Sequence, residues 1–143
     1  MFLNTVAIIQ ARMTSTRLPG KVLMEVAGRP MLFQQIHRLE RSKRISEIVI
    51  ATTTNGTDDS IDNLARQAGV RCYRGSENDV LSRFVGVAQA VKADVVVRLT
   101  ADCPLIDAEV IDNVVLALAE SSSKYDYASN VLQRTYPKGL DAE

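Results

Sequence analysis

"VAIIQARMTSTRLPGK", residues 6–21, sets four consecutive apolar residues against a loop with two arginines, a lysine, three hydroxyls and no acidic side chain. The apolar run, taken back to Asn4, predicts a buried strand over residues 4–9. Continuous rather than alternating apolarity is the pattern of a parallel strand covered on both faces. In an open sheet of such strands, ligands bind beyond the carboxyl ends. The loop over residues 10–21 leaves its strand at that edge, where backbone N–H groups, hydroxyls and cations can converge on a phosphate chain. Arg12 and Arg17 supply planar donor forks, and Lys21 a compact point charge. Taken alone, the same loop also reads as a solvated face whose arginines pair with acidic residues elsewhere.

The pattern of the first strand repeats. Residues 48–51, 70–73 and 94–99 are further β-branched runs. Between them lie helical stripes: residues 31–39 after Pro30; Ile61, Leu64, Ala65 and Ala68; Val80, Phe84, Val87 and Val91; and Val110, Ile111, Val114, Val115 and Leu118. Thr57 or Asp58 is the predicted cap of the second helix, with Gly69 just past its end, and Asp107 opens the fourth. Strand and helix in alternation predict a parallel α/β sandwich with right-handed crossovers. Residues 22–26 are too short to place, and residues 121–123, three serines, form a polar connection. Residues 125–131 read as the start of another strand, and "TYPKGLDAE" ends the sequence with no closing element. The expectation is one nucleotide-binding α/β domain over residues 1–143, the N-terminal part of a longer fold, truncated at its C-terminus.

The bulk properties narrow the partners. The chain has 143 residues and a formal net charge of zero, with 17 basic and 17 acidic side chains. A binder of long nucleic acid needs a basic excess, so that class is disfavoured. The balance is uneven along the chain. Through Arg44 there are eight Lys/Arg and two Asp/Glu; beyond it, nine and fifteen. A +6 segment followed by a −6 segment suits a small, highly charged ligand held locally. Two cysteines, Cys72 and Cys103, with no CxxC make a disulfide scaffold unlikely to be the organising principle and fit a reducing cytosol. No apolar stretch approaches the roughly 18–20 residues of a membrane span, and no signal-peptide pattern opens the chain, so a cytoplasmic location is expected.

A second segment joins the basic loop. "RLTADCPLID", residues 98–107, also follows an apolar strand, which places Asp102 at the same carboxyl edge. A lone loop aspartate is ordinarily a turn former or cap. Facing a phosphate site, it needs a cation between, and magnesium takes one or two carboxylates plus substrate phosphates and water. The loop is no Walker A sequence, because Gly20-Lys21 is followed by Val22, and GxGxxG is absent throughout. His37, the single histidine, falls in a helical pattern with a basic run beyond it and reads as an exposed helix residue. Cys103 reads as a small packed residue rather than a reactive thiol.

"IIQARMTSTRLPGKVLMEVAGRPML", residues 8–32, resembles the N-terminal signature of the CTP-dependent cytidylyltransferases that activate acidic sugars, such as the CMP-KDO and CMP-acylneuraminate synthetases. Gln10 before Ala11-Arg12, with "RLTADCPLID" and "YPKGLDAE", is most similar to the spore-coat polysaccharide SpsF branch. The resemblance covers nearly the whole chain. It implies a Rossmann-like, mostly parallel sheet with helices on both faces, of the nucleotide-diphospho-sugar transferase type. It also implies Mg2+-dependent transfer of CMP from CTP to a small sugar acceptor, with release of pyrophosphate. By position, it assigns Arg12, Ser15, Arg17 and Lys21 to the CTP phosphates, Gln10 and Ala11 to the nucleotide, and Asp102 to the metal. Asn55, Arg74 and Arg83 stand where members of the family contact nucleotide or sugar, and Lys138, Asp141 and Glu143 fall on the acceptor side. A homodimer is the family's pattern. The family's second metal-binding aspartate has no counterpart here, and spacing identifies no general base. A glycosyltransferase using a nucleotide-sugar donor and a catalytically silent nucleotide-binding module remain as alternatives.

Overall fold

Chain order runs β1 (Thr5–Gln10), a 3₁₀ turn (Lys21–Leu23), β2 (Glu25–Val26), β3 (Arg29–Pro30), α1 (Met31–Leu39) and β4 (Glu47–Thr53). A second 3₁₀ turn (Gly56–Asp58), α2 (Asp59–Gln67), β5 (Arg71–Gly75), α3 (Val80–Val91), β6 (Val95–Thr100) and α4 (Ala108–Glu120) complete it. This is a computed structural model, and it describes residues 3–121 and 123–143. Met1 and Phe2, which open the chain, and Ser122, in the middle of the serine connection, lie outside the described residues.

The four long strands form one parallel sheet in the order β5-β4-β1-β6. β1 is central, and its last residue, Gln10, is in register with Ala51 on one side and Thr100 on the other. Alternate residues of the strands feed two cores. Ala7, Ile9, Ile50, Val97 and Leu99 pack under Leu32 and Ile36 of α1, Ile61 and Leu64 of α2, and Ile111 and Val115 of α4. On the other face Val6, Ile8, Val49 and Ala51 meet Phe84 and Val87 of α3. Each such side chain, fully buried, contributes about 1.5–3 kcal/mol by leaving water. β1 has core on both sides, as its unbroken apolar run requires.

β6 differs from the reading of its sequence. Its run is as β-branched as that of β1, yet burial alternates along it: Val97 and Leu99 are enclosed, while Val96, Arg98 and Thr100 are exposed. The reason is coverage. α3 packs chiefly on β5, β4 and β1, and alternate residues of β6 are left exposed.

Two segments between elements also take their form from the fold. Of residues 22–26, left unplaced by the sequence, Val22 and Leu23 lie in the first 3₁₀ turn and Glu25 and Val26 form β2, paired antiparallel with β3 and turned through Ala27 and Gly28 at φ of 51° and 78°. Two consecutive left-handed residues are what a tight hairpin of this hand requires. Residues 125–131 form no strand. Tyr125 and Tyr127 are exposed, so no alternating buried face exists, and Asn130 instead bonds to the far end of its own segment through Leu140 and Ala142. Among the described residues no helix is long and apolar enough to cross a membrane.

Candidate active site

The basic loop leaves β1 as a closed ring. Gly20 N–H donates to the Met13 carbonyl (2.9 Å), with Gly20 at φ 71°, a left-handed conformation that glycine adopts without Cβ strain. The 3₁₀ turn Lys21–Leu23 follows at once and buries Val22, which anchors the exit of the ring in the core. On the neighbouring strand, Ala101 N–H donates to the Gln10 carbonyl (3.0 Å), so the Asp102 loop begins beside the start of the basic one. The two loops meet: Lys21 Nζ lies 3.1 Å from Asp102 Oδ2, across 81 residues of chain. The Thr100 hydroxyl donates to Asp102 Oδ1 at 2.7 Å. That hydrogen bond first, and the Lys21 ammonium second, hold the Asp102 carboxyl below its usual range against a partial burial that opposes them. The expected convergence of the two loops at one rim is present.

Around this pair the expected residues divide into three groups. Arg12, Ser15 and Arg17 make no side-chain hydrogen bond or ion pair among the described residues; Arg12 and Ser15 are half-buried and Arg17 is exposed. Ala11 is buried and its N–H is bonded to the Ala51 carbonyl (3.1 Å).

Asn55, Arg74 and Arg83 are engaged by their own loops. Asn55 Oδ1 caps the 3₁₀ turn by accepting from Thr57 N–H, and its amide donates to Glu77. Arg74 is a clamp: Nε donates to the Thr53 carbonyl, Nη2 to the Asn55 carbonyl, and Nη1 to Asp59. Arg83 is wholly enclosed, its Nη1 donating to the Ser76 and Glu77 carbonyls, while Nε and Nη2 have no partner among the described residues. Burial, then the nearby Arg12 charge, lower its pKa. In this arrangement Arg83 shapes the β5–α3 loop from beneath and does not reach the surface.

Of the residues expected on the acceptor side, Asp141 and Glu143 lie beside β6. The Glu143 carboxylate pairs with Arg98, and its carbonyl accepts from Arg98 N–H at 2.7 Å. Asp141 takes both Arg134 amino groups, which depress its pKa. Arg98, Thr100, Asp141 and Glu143 share a hollow of about 140 Å³, and its Thr100 is the residue whose hydroxyl donates to Asp102. Lys138 is exposed.

Three carboxylate and hydroxyl contacts were not legible as part of this site. Glu77 accepts from the Thr14 hydroxyl (2.8 Å) and from Asn55, which together lower its pKa. Asp58, expected as a helix cap, makes no cap bond and reaches Met13 instead. The signal available was the hydroxyl-rich run Thr52-Thr53-Thr54 at the carboxyl edge of β4, followed by Asp58. A groove of about 1000 Å³ between α4 and the turn after α1 is lined by none of the candidate residues. His37 is exposed beside Glu40, as expected. Burial raises both thiols, Cys72 to about 12, which leaves them protonated and unreactive.

The residues present fit a magnesium ion that arrives with phosphates. Asp102 offers a part-exposed, ionised carboxylate, while among the described residues no group of three His, Cys, Asp or Glu stands ready to hold a metal by itself.

The cytidylyltransferase family profile matches residues 6–136. The spore coat polysaccharide biosynthesis protein SpsF of Bacillus subtilis is 44% identical over 127 residues, 86% of this chain and 53% of its own length. A 3-deoxy-manno-octulosonate cytidylyltransferase of Geobacter sulfurreducens is 37% identical over 121 residues, 83% of this chain and 47% of its own. The solved structure of a cytidylyltransferase from Leptospira borgpetersenii superposes with a TM-score of 0.94 at 36% identity, covering 98% of this chain and 59% of that one. The chain thus spans about half the length of the curated relatives it matches.

Proposed function

The chain belongs to the cytidylyltransferase family, and from that premise we propose that its sheet rim binds CTP with magnesium and transfers CMP to an acidic sugar, releasing pyrophosphate. One observation carries this reading: the 3.1 Å pair of Lys21 and Asp102, which joins an anion-seeking loop to a cation-seeking carboxylate. The acidic acceptor is supported by a relative named for an octulosonate, and a role in surface polysaccharide synthesis by a relative named for spore coat polysaccharide. A cytoplasmic location and a homodimer belong to the same reading.

The acceptor hydroxyl attacks the α-phosphorus of CTP, and the bond to the β-phosphate oxygen breaks in line, so that pyrophosphate leaves. Such transfers depend on positioning and charge stabilisation rather than covalent help. Arg12 and Arg17 hold the phosphate chain; Arg12 and Lys21 stabilise the negative charge gathering on the leaving group. Thr100 keeps Asp102 ionised and oriented when Lys21 swings from the carboxylate to the phosphates. Magnesium on Asp102, when bound, polarises the attacked phosphate. Gln10 and Ala11 lie at the nucleotide, and the hollow holding Asp141 and Glu143 opens on the acceptor side.

The test is pyrophosphate release with CTP, Mg2+ and a panel of acidic sugars, run on this chain and on any longer product of its reading frame. Release that needs both CTP and a sugar is the expected result. Release of a nucleoside mono- or diphosphate from a nucleotide-sugar donor, with no pyrophosphate from CTP, selects a glycosyltransferase, and CTP binding by calorimetry without turnover in either form selects a binding module.

A further inference from the structure

Asp58 is fully buried, and burying a carboxylate is costly unless donors surround it. Four do. Its Oδ2 accepts from the Thr52 hydroxyl (3.0 Å), the Thr53 hydroxyl (2.5 Å) and Thr53 N–H (3.2 Å), all at the end of β4. Its Oδ1 accepts from Met13 N–H at 2.8 Å. Although Asp58 immediately precedes α2, its side chain makes no cap bond with that helix. The carboxylate has been turned away from its ordinary local task toward a loop 45 residues distant in sequence.

Met13 is where the basic loop closes. Its N–H is held by Asp58 and its carbonyl by Gly20 N–H, so this one residue is fixed at both of its backbone polar atoms, in the two successive peptide units that flank it. Arg12 immediately precedes that residue, and Lys21 immediately follows the glycine that bonds to it. A chain of bonds therefore runs from the end of β4, through Asp58 and Met13, to the backbone beside both Arg12 and Lys21. Glu77, bonded to the Thr14 hydroxyl, is a second and more exposed tether.

We propose that Asp58 is the positioning residue of the basic loop: it sets where Arg12 and Lys21 stand without touching the ligand. The proposal rests on the reading that this loop binds nucleotide phosphates. It explains why an uncompensated acidic group is tolerated beneath an anion site: its lone pairs are taken by backbone and hydroxyl donors, and its return is a loop that is ordered before the ligand arrives. Preorganised donors are worth more than donors that must be ordered on binding.

The experiment compares Asp58→Ala and Asp58→Asn with Thr52→Val, which disturbs the same buried network but leaves the Met13 contact intact. Each variant is digested with trypsin at the same interval below its own melting temperature, and cleavage after Arg12 and Arg17 is timed by mass spectrometry. CTP affinity with Mg2+ is measured on the same samples by calorimetry. Asp58→Ala should be cut about tenfold faster in the loop and bind CTP about tenfold more weakly, the scale expected for a misplacement of about 1 Å. Asp58→Asn, which keeps the volume but turns one acceptor into a donor, should fall between it and wild type. Thr52→Val should stay within about twofold of wild type in both readouts once stability is matched. Equal loop cleavage in Asp58→Ala and Thr52→Val, or faster cleavage with unchanged affinity, overturns the proposal. Should the alanine variant fail to fold, the asparagine variant decides by the same criteria. If the wild-type chain binds no CTP, the functional reading is what fails, and the cleavage comparison alone still judges whether Asp58 orders the loop.

Discussion

Asp102 and Lys21 pair with each other in the free protein, and the proposed function gives each a different task once ligand is bound. In the free protein the ammonium stands in for a cation beside the carboxylate, and Thr100 supports the same charge from the other oxygen. The Asp102 pKa is depressed, so its contribution to stability is fully present above the ordinary carboxylate value and is lost as pH falls through the lower, folded value. Nothing therefore titrates on Asp102 near neutrality. Thr100→Val should raise the Asp102 midpoint, read by carboxyl carbon NMR between about pH 2 and 6, a range that brackets the reference carboxylate value; an unmoved midpoint would mean the hydroxyl bond is not made. Lys21→Ala should lower turnover on the order of 10²–10³-fold, the cost of one preorganised donor at developing charge. Both residues were legible in the sequence, since charge type and position after a strand suffice to nominate them. Arg74 differs: its sequence position nominates it for ligand, and the fold shows that each of its three nitrogens already donates to its own neighbourhood, at Thr53, Asn55 and Asp59.

The elements themselves were readable wherever one periodicity ran long enough. Met31–Leu39 has the predicted bounds, Val80–Val91 carries the predicted stripe, and Asp107 caps α4 by accepting from Glu109 and Val110 N–H. Asp107→Ala should cost about 1 kcal/mol in urea unfolding, the usual worth of an N-cap. The β2–β3 ribbon was illegible because two-residue strands have no period, and the turn places Ala27 in a conformation its side chain disfavours. How α3 seats on β5 was also hidden. A Cβ at Gly86 would lie 2.2 Å from the Tyr73 hydroxyl oxygen and 2.5 Å from its ring carbon. Alanine is ordinarily better than glycine in a helix by roughly 0.5–1 kcal/mol, whereas overpacking costs about 1–3 kcal/mol. Sterics should win: Gly86→Ala is expected to destabilise by about 1–2 kcal/mol. Paired with Tyr73→Ala, the double variant should lose less than the sum of the singles, because the clash then has no second partner.

At the scale of the whole molecule, the uneven distribution of charge along the sequence becomes a spatial arrangement. The basic N-terminal segment does not form a free cationic face: Lys21 meets Asp102, Arg38 meets Asp107, Met13 N–H meets Asp58, and Thr14 meets Glu77. Acidic groups from later strands and loops thus hold the basic loop at several points, while Arg12 and Arg17 make no side-chain bond or ion pair among the described residues. Such a framework should gain from a small polyanion that joins its cations, and gain much less from a polymer needing a continuous basic track. The consequence is measurable without turnover. A ligand that binds only the folded state adds RT ln(1 + [L]/Kd), about 2.7 kcal/mol at a hundredfold excess over Kd. For a domain of this size that corresponds to a rise of roughly 5–10 °C in melting temperature. CTP with Mg2+ should produce such a rise in wild type. Lys21→Ala should reduce it, and single-stranded DNA at equal phosphate concentration should give little. A larger shift with DNA than with CTP would mean that the loop is a generic anion surface, and the nucleotide site at the rim of the sheet would have to be abandoned.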